Sequence, residues 1–139
     1  MRSTLMAVLG LAVVIAAVAA QTPKSPQKPG KWQIKMEMEM PGMPMKMPPF
    51  TTEECVTEQD LADPQKSVPS DPKSKCTVSD YKVKEKTISW KVDCPSQKST
   101  GTGEITYTDD SYTGAMKMKM PDREMTTKYS GKWLGACTK

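Results

Sequence analysis

Two stretches of the chain alternate between apolar and polar residues, and this pattern constrains the fold more than any other feature. From Lys31 to Met40 every even position is apolar and every odd position is charged or polar. From Tyr112 to Met120 the aromatic, glycine and methionine residues again occupy the even positions. Because successive side chains of a β-strand point to opposite faces, both stretches predict strands with one buried face and one solvated face.

A β-hairpin is predicted around the turn 84–86. One register of its strands places Cys76 opposite Cys94. A register shifted by one residue pairs Val83 with Ile88 and buries more apolar area. A β-bulge between the two ends of the hairpin would satisfy both demands.

The whole pattern predicts an all-β fold, an antiparallel meander of six to seven strands. Such a sheet forms a small barrel, a half-barrel or a sandwich. Pro41-Gly42 predicts a turn, and residues 43–47 predict a ragged returning strand that prolines confine to an edge. One short helix is expected after Thr57, which can cap its first turn, and Pro64 limits it.

The N-terminus has the pattern of a secretory signal peptide over residues 1–20. Arg2 precedes an apolar run that ends in small residues. A membrane anchor is the alternative, but the run is short for a spanning helix, which needs about 20 apolar residues. We therefore expect an exported protein, periplasmic or extracellular, with no membrane span after cleavage. Proline-rich residues 21–30 predict a flexible lead-in, and residues 31–139 form a single domain.

Four cysteines in a chain without histidine predict disulfides rather than a zinc site, since no Cys-x-x-Cys pair is present. Three pairings are compatible with the count alone. The hairpin geometry favours Cys76–Cys94, and Cys55–Cys137 follows by elimination.

Several segments together resemble one bacterial exported family, the family known only as domain of unknown function 3617. The resemblance lies in Pro29 to Trp32, Met38 to Met43, Thr102 to Tyr107, Ser111 to Gly114, Lys128 to Cys137 and the four cysteines. It covers residues 29–137, nearly the whole chain after the signal peptide. The resemblance implies an exported β-rich domain and implies no activity.

The residue inventory argues against an enzyme, with an enzyme that uses two carboxylates in a cleft kept as the third alternative, and against a nucleic-acid-binding protein. Without histidine the chain has no Ser-His-Asp or Cys-His arrangement, and it has no glycine-rich phosphate loop. The modest positive charge is spread along the chain, whereas nucleic-acid binding needs a clustered basic face. We expect a monomer without a cofactor that binds a small apolar ligand or an envelope protein.

Methionine is the unusual residue, and its positions have three interpretations. The first is core packing, which flexible thioether side chains serve well. The second is a site for an apolar ligand or polypeptide, whose predicted residues are Trp32, Met36, Met38, Met40, Met116, Met118 and Met120. The third is a Cu(I) or Ag(I) site, because thioether sulfur is a soft donor. Its predicted ligands are Met43, Met45 and Met47.

Overall fold

Seven antiparallel strands form one sheet in the computed structural model, which describes residues 23–44, 47–69 and 73–138. The strands are β1 (Gly30–Glu39), β2 (Phe50–Val56), β3 (Thr77–Lys84), β4 (Thr87–Cys94), β5 (Ser99–Tyr107), β6 (Ser111–Lys119) and β7 (Glu124–Gly135). Their order in the sheet is β2-β1-β7-β6-β5-β4-β3. The predicted all-β meander is confirmed. The predicted signal peptide, residues 1–20, lies outside the described residues.

The sheet is not closed. Its edges are β2 and β3, and within the described residues no ladder joins them. Of the predicted architectures, a closed barrel is therefore wrong. The inner faces of strands as far apart in the sheet as β2 and β5 line one cavity, so the sheet curves as a half-barrel.

Two short helices, α1 (Glu58–Ala62) and α2 (Pro64–Ser67), connect β2 to β3 where the sequence predicts one. Thr57 caps α1 as predicted, because its hydroxyl accepts a hydrogen bond from the Asp60 amide at 3.2 Å. Pro64 ends α1 and also begins α2, since proline is tolerated in the first turn of a helix.

The connection between β1 and β2 contains the predicted turn but not the predicted strand. The amide of Met43 donates to the Met40 carbonyl at 3.3 Å, and Gly42 has a φ of +88°. A positive φ at this position is the type II geometry that Pro-Gly favours. The described residues between 43 and 47 are not in a strand, and β2 begins only at Phe50.

The hairpin of β3 and β4 contains the predicted bulge. Val78 pairs with Val92 at one end, and Val83 pairs with Ile88 at the other, in registers that differ by one residue. The shift falls between Ser79 and Lys82. Both expectations about this hairpin are thus confirmed, and the bulge reconciles the cysteine pairing with burial of the apolar residues.

The inner face of the sheet holds a core of aromatic and aliphatic side chains. Trp32 and Ile88 are completely buried. The ring of Trp32 lies 5.4 Å from that of Tyr112, which lies 5.3 Å from that of Tyr107. Tyr112 also covers Gly131, where a Cβ atom would come within 2.0 Å of the ring. Close approach of the ring to the backbone therefore requires glycine at this position.

The segment predicted to be a flexible lead-in has defined partners over its described residues, 23–29. The amide of Ser25, a buried residue, donates to the Leu61 carbonyl at 3.0 Å. The indole Nε1 of Trp32 donates to the Lys28 carbonyl at 2.8 Å. These contacts hold the segment between α1 and the start of β1. The sequence pattern did not indicate these hydrogen-bond partners.

The structure contains both predicted disulfides, Cys55–Cys137 and Cys76–Cys94. The first joins β2 to the residues after β7, and the second joins the entry of β3 to the end of β4. Disulfides are stable in oxidising compartments, so both indicate an extracytoplasmic environment.

The two disulfides should differ in their contribution to stability. They close loops with sequence separations of 82 and 18 residues. Replacing Cys55 and Cys137 together by alanine should lower the free energy of unfolding by about 4.5 kcal/mol, and replacing Cys76 and Cys94 by about 3 kcal/mol. Urea titration of both double variants measures this difference. A larger loss in the Cys76 and Cys94 variant would contradict the entropic explanation.

Candidate functional site

A cavity of about 990 Å³ lies between the concave face of the sheet and the segment that carries α1 and α2. β1, β2, β5, β6 and β7 supply one wall. Ser67 and Val68 of the helical segment, with Gln27 of the N-terminal segment, supply part of the other wall. The cavity exists because the sheet curves without closing and the short helices only partly cover its open side.

The strand walls of the cavity are mostly apolar. Their apolar lining residues are Ile34, Met36, Met38, Val56, Ile105, Met116 and Met125. The ladders explain this grouping, because Met36 lies opposite Tyr129, and Met38 and Met116 lie on either side of Thr127. Side chains in one cross-strand row project to the same face of the sheet.

The predicted apolar-ligand residues occupy three different environments. Met36, Met38 and Met116 line the cavity. Trp32 is completely buried and Met118 is almost so, and both belong to the core cluster. Met40 and Met120 are half-buried at the ends of β1 and β6. The structure thus brings three of the seven to the cavity wall and places two in the core.

The two predicted metal ligands that the structure describes, Met43 and Met47, are not among the residues that line the cavity. Met43 is 53 % exposed and Met47 is 36 % exposed, both in the connection between β1 and β2. Met45 lies outside the described residues. Among residues 23–44, 47–69 and 73–138, no group of three histidine, cysteine, aspartate or glutamate side chains is arranged to hold a metal ion.

Three tyrosines at the cavity were not predicted as site residues. Tyr107, Tyr112 and Tyr129 line it from β5, β6 and β7. The alternation of each strand placed them on the inner face, but the sequence carried no signal that these strands would surround one space. The grouping of these strands around one cavity depends on the pairing of β1 with β7, which joins residues far apart in the chain.

Four charged side chains contribute to the lining of the cavity. They are Glu54, Asp60, Lys66 and Lys75. Lys66 lies 3.7 Å from Asp60 in an ion pair. Hydrogen bonds from Thr57 hold the pKa of Asp60 below its usual range. This carboxylate is therefore ionised and occupied in capping α1, and it is not available as a general acid near neutral pH.

Burial raises the pKa of the phenols of Tyr107, Tyr112 and Tyr129 above the ordinary value. For Tyr112, the neighbouring Tyr107 and the negative charge of Glu54 add to this effect. All three phenols are consequently neutral across the physiological range and can donate hydrogen bonds within the cavity.

The free energy of unfolding should therefore fall in alkaline solution. Below pH 10 the phenols are protonated in both states and contribute no pH dependence, since 10.0 is the ordinary tyrosine pKa. Above it the unfolded chain loses tyrosine protons first, so unfolding becomes more favourable as pH rises. Ultraviolet titration of tyrosinate in native and urea-unfolded protein should show a higher midpoint for the native state. Coincident titration curves would contradict the burial of these phenols.

In the part of the chain that the structure describes, no helix is long and apolar enough to cross a membrane. Comparison with the curated proteins and with solved structures gives no significant match. The chain does match the family described as "Protein of unknown function (DUF3617)" over residues 27–137, which is most of its length. This match confirms the resemblance found in the sequence, and the chain belongs to the DUF3617 family.

Proposed function

We propose that the protein is a non-catalytic binding domain of the cell envelope that holds an apolar or amphipathic ligand in the cavity. The observation that carries the proposal is the cavity of about 990 Å³ with its methionine-rich wall. Ligand sites in proteins are typically cavities of about 300–1,000 Å³, mainly apolar and lined by few polar groups. Methionine side chains adapt to ligands of varied shape.

The polar groups of the cavity suit a ligand with one polar end. The phenols of Tyr107, Tyr112 and Tyr129 are neutral donors, and Lys75 adds a positive charge to the lining. A chain of methylene groups would pack against Met36 and the other apolar residues. A carbonyl or carboxylate group would accept hydrogen bonds at the polar positions.

Export supports the same proposal. The predicted signal peptide and the two disulfides suit an oxidising envelope compartment. In such a compartment a lipid-like molecule that must leave a membrane requires an apolar site, because exposing its chain to water is unfavourable by about 0.8 kcal/mol per methylene group.

Filling the cavity should weaken ligand binding. Met116→Trp places a large ring in the cavity and should weaken binding of a fluorescent fatty acid by roughly tenfold or more. Thr113→Trp is the matched control, because residue 113 is exposed on the opposite face of β6. Fluorescence titration of the mature protein, with native mass spectrometry of the purified protein for bound lipid, measures the effect. Equal affinity in both variants would show that the ligand binds elsewhere.

A soft-metal site for Cu(I) or Ag(I) is the second candidate, and one feature of the sheet favours it. Met118 lies directly opposite Met125 in the ladder of β6 and β7, while Met38 and Met116 flank Thr127. Four thioethers are thus grouped on three adjacent strands. Thioether sulfur selects Cu(I) among biological metals.

Sulfur ligation and apolar packing can be separated by leucine substitution, which retains the apolar volume and removes the sulfur. Anaerobic titration with Cu(I) against a competing chelator should show a submicromolar dissociation constant if the metal site exists. The affinity should be lost in a Met38, Met116 and Met125 triple leucine variant. A Met43, Met45 and Met47 triple leucine variant tests the ligands predicted from the sequence. Unchanged titrations in both variants would exclude the methionine site.

A further inference from the structure

Exposed apolar side chains gather at one end of the sheet. This end consists of the final residues of β1, the first residues of β2 and the connections 40–44, 47–49, 95–98 and 120–123, and we call it the methionine end. Its large exposed apolar side chains are Met38 (38 %), Met43 (53 %), Met47 (36 %) and Phe50 (56 %). Within the described residues the other large exposed apolar side chain is Leu134, near the opposite end of the sheet.

This exposed apolar surface is continuous with the cavity. Met38 both lines the cavity and is partly exposed. Phe50 lies directly opposite Met36, another lining residue, in the ladder of β1 and β2. Because paired residues share a face of the sheet, Phe50 lies on the same face as Met36, beside the cavity and outside its lining. Met43 and Met47 follow in the connection between the same two strands.

Among the described residues, the acidic side chains of the methionine end are paired with basic ones, whereas Lys98 is not. Glu39, at the end of β1, pairs with Lys128 at 2.7 Å, and Asp122 pairs with Arg123 at 3.4 Å. Lys75, at the entry to β3, adds a positive charge beside the cavity. Neither Lys75 nor Lys98 forms an ion pair within the described part of the chain.

The hairpin turns at the opposite end are acidic. They carry Glu85, Asp109 and Asp110 against one lysine, Lys86. Lys86 is paired with Asp109 at 3.0 Å, and Lys28 with Asp110 at 3.0 Å. The aspartates of these turns are thus neutralised by lysines, and an anionic surface would be attracted to the unpaired Lys75 and Lys98 of the methionine end.

We propose that the methionine end docks on the surface of an anionic lipid bilayer. Met43, Met47 and Phe50 enter the boundary between headgroups and acyl chains, and Lys98 and Arg123 lie next to the phosphates. Apolar anchors combined with nearby basic side chains are the two attractions that hold proteins at such surfaces. The inference rests on the proposed function in one respect. If the cavity binds a lipid, an acyl chain would pass from the bilayer into the cavity beside Met38.

A bilayer fits this end better than a second copy of the chain. Two copies docked through the same end would place the unpaired Lys98 of each copy in one interface, and like charges within an interface oppose association. A headgroup layer instead supplies many anions without a fixed arrangement. Flexible methionine side chains suit a fluid partner, because they pack without a defined complementary shape.

Flotation with lipid vesicles tests the proposal on the mature protein. The wild type should bind vesicles of equal parts phosphatidylcholine and phosphatidylglycerol more tightly than vesicles of phosphatidylcholine alone. A Met43→Ser and Phe50→Ser variant should bind the mixed vesicles about tenfold more weakly, because the apolar anchors are lost. Leu134→Ser is the matched control, since it removes an exposed apolar residue near the opposite end, and it should bind like the wild type.

The basic residues have a separate test. A Lys98→Gln and Arg123→Gln variant should lose roughly tenfold in affinity for the mixed vesicles and little for the neutral ones. Lys86→Gln is its control at the acidic end. Equal vesicle binding by all variants, or no binding by the wild type, would overturn the proposal. A decrease in sedimentation mass of the Met43 and Phe50 variant without lipid would overturn it too, by showing that a second copy covers this end.

The docking proposal and the proposed ligand site can be tested independently. Met116→Trp should lose the fluorescent fatty acid in solution and still float with vesicles. The Met43 and Phe50 variant should retain the fatty acid and not float. Absence of vesicle binding with intact fatty-acid binding would overturn the docking proposal and leave the proposed function in place. Vesicle binding without fatty-acid binding would support docking and contradict the cavity as a ligand site.

Discussion

The ladder between β1 and β7 is the contact on which the rest of the structure depends. It joins strands near the two ends of the chain, so its formation closes a long loop and has a large entropic cost. Several interactions at this ladder offset that cost. Trp32 is completely buried, Trp133 donates a hydrogen bond to the Pro29 carbonyl at 3.1 Å, and the Cys55–Cys137 disulfide ties β2 to the residues beyond β7.

This ladder also creates the cavity. It places Met36 and Met38 of β1 beside Tyr129 and Thr127 of β7, and β6 then brings Met116 to the same row. The sheet curves toward closure, but the segment between β2 and β3 forms α1 and α2 instead of a further strand. One apolar face therefore has two roles, since its packed part stabilises the fold and its uncovered part forms the candidate site.

Methionine suits the uncovered part of that face better than a branched residue. Valine or isoleucine at 36, 38 and 116 would pack more rigidly, as Ile88 does in the buried part. The unbranched thioether can fill the space when it is empty and move aside when it is occupied. The same side-chain flexibility suits the methionine end, where Met43 and Met47 are exposed.

Local pattern in the sequence by itself determined most of the strands, the bulge in the β3–β4 hairpin and the Cys76–Cys94 pairing, because side-chain alternation and hairpin register act over a few residues. The Cys55–Cys137 pairing then followed by elimination, whereas the strand predicted at residues 43–47 was wrong. The Pro41-Gly42 turn and the Thr57 cap followed from the same short-range chemistry. Only the tertiary structure decided that β1 pairs with β7, that residues 23–29 pack beside α1, and that the sheet stays open. Each depends on contacts between residues distant in sequence. The free energy of such contacts cannot be predicted from a local sequence pattern. The same limit applies to the site, since alternation identified an inner methionine row but not which members line the cavity and which, like Met118, complete the core.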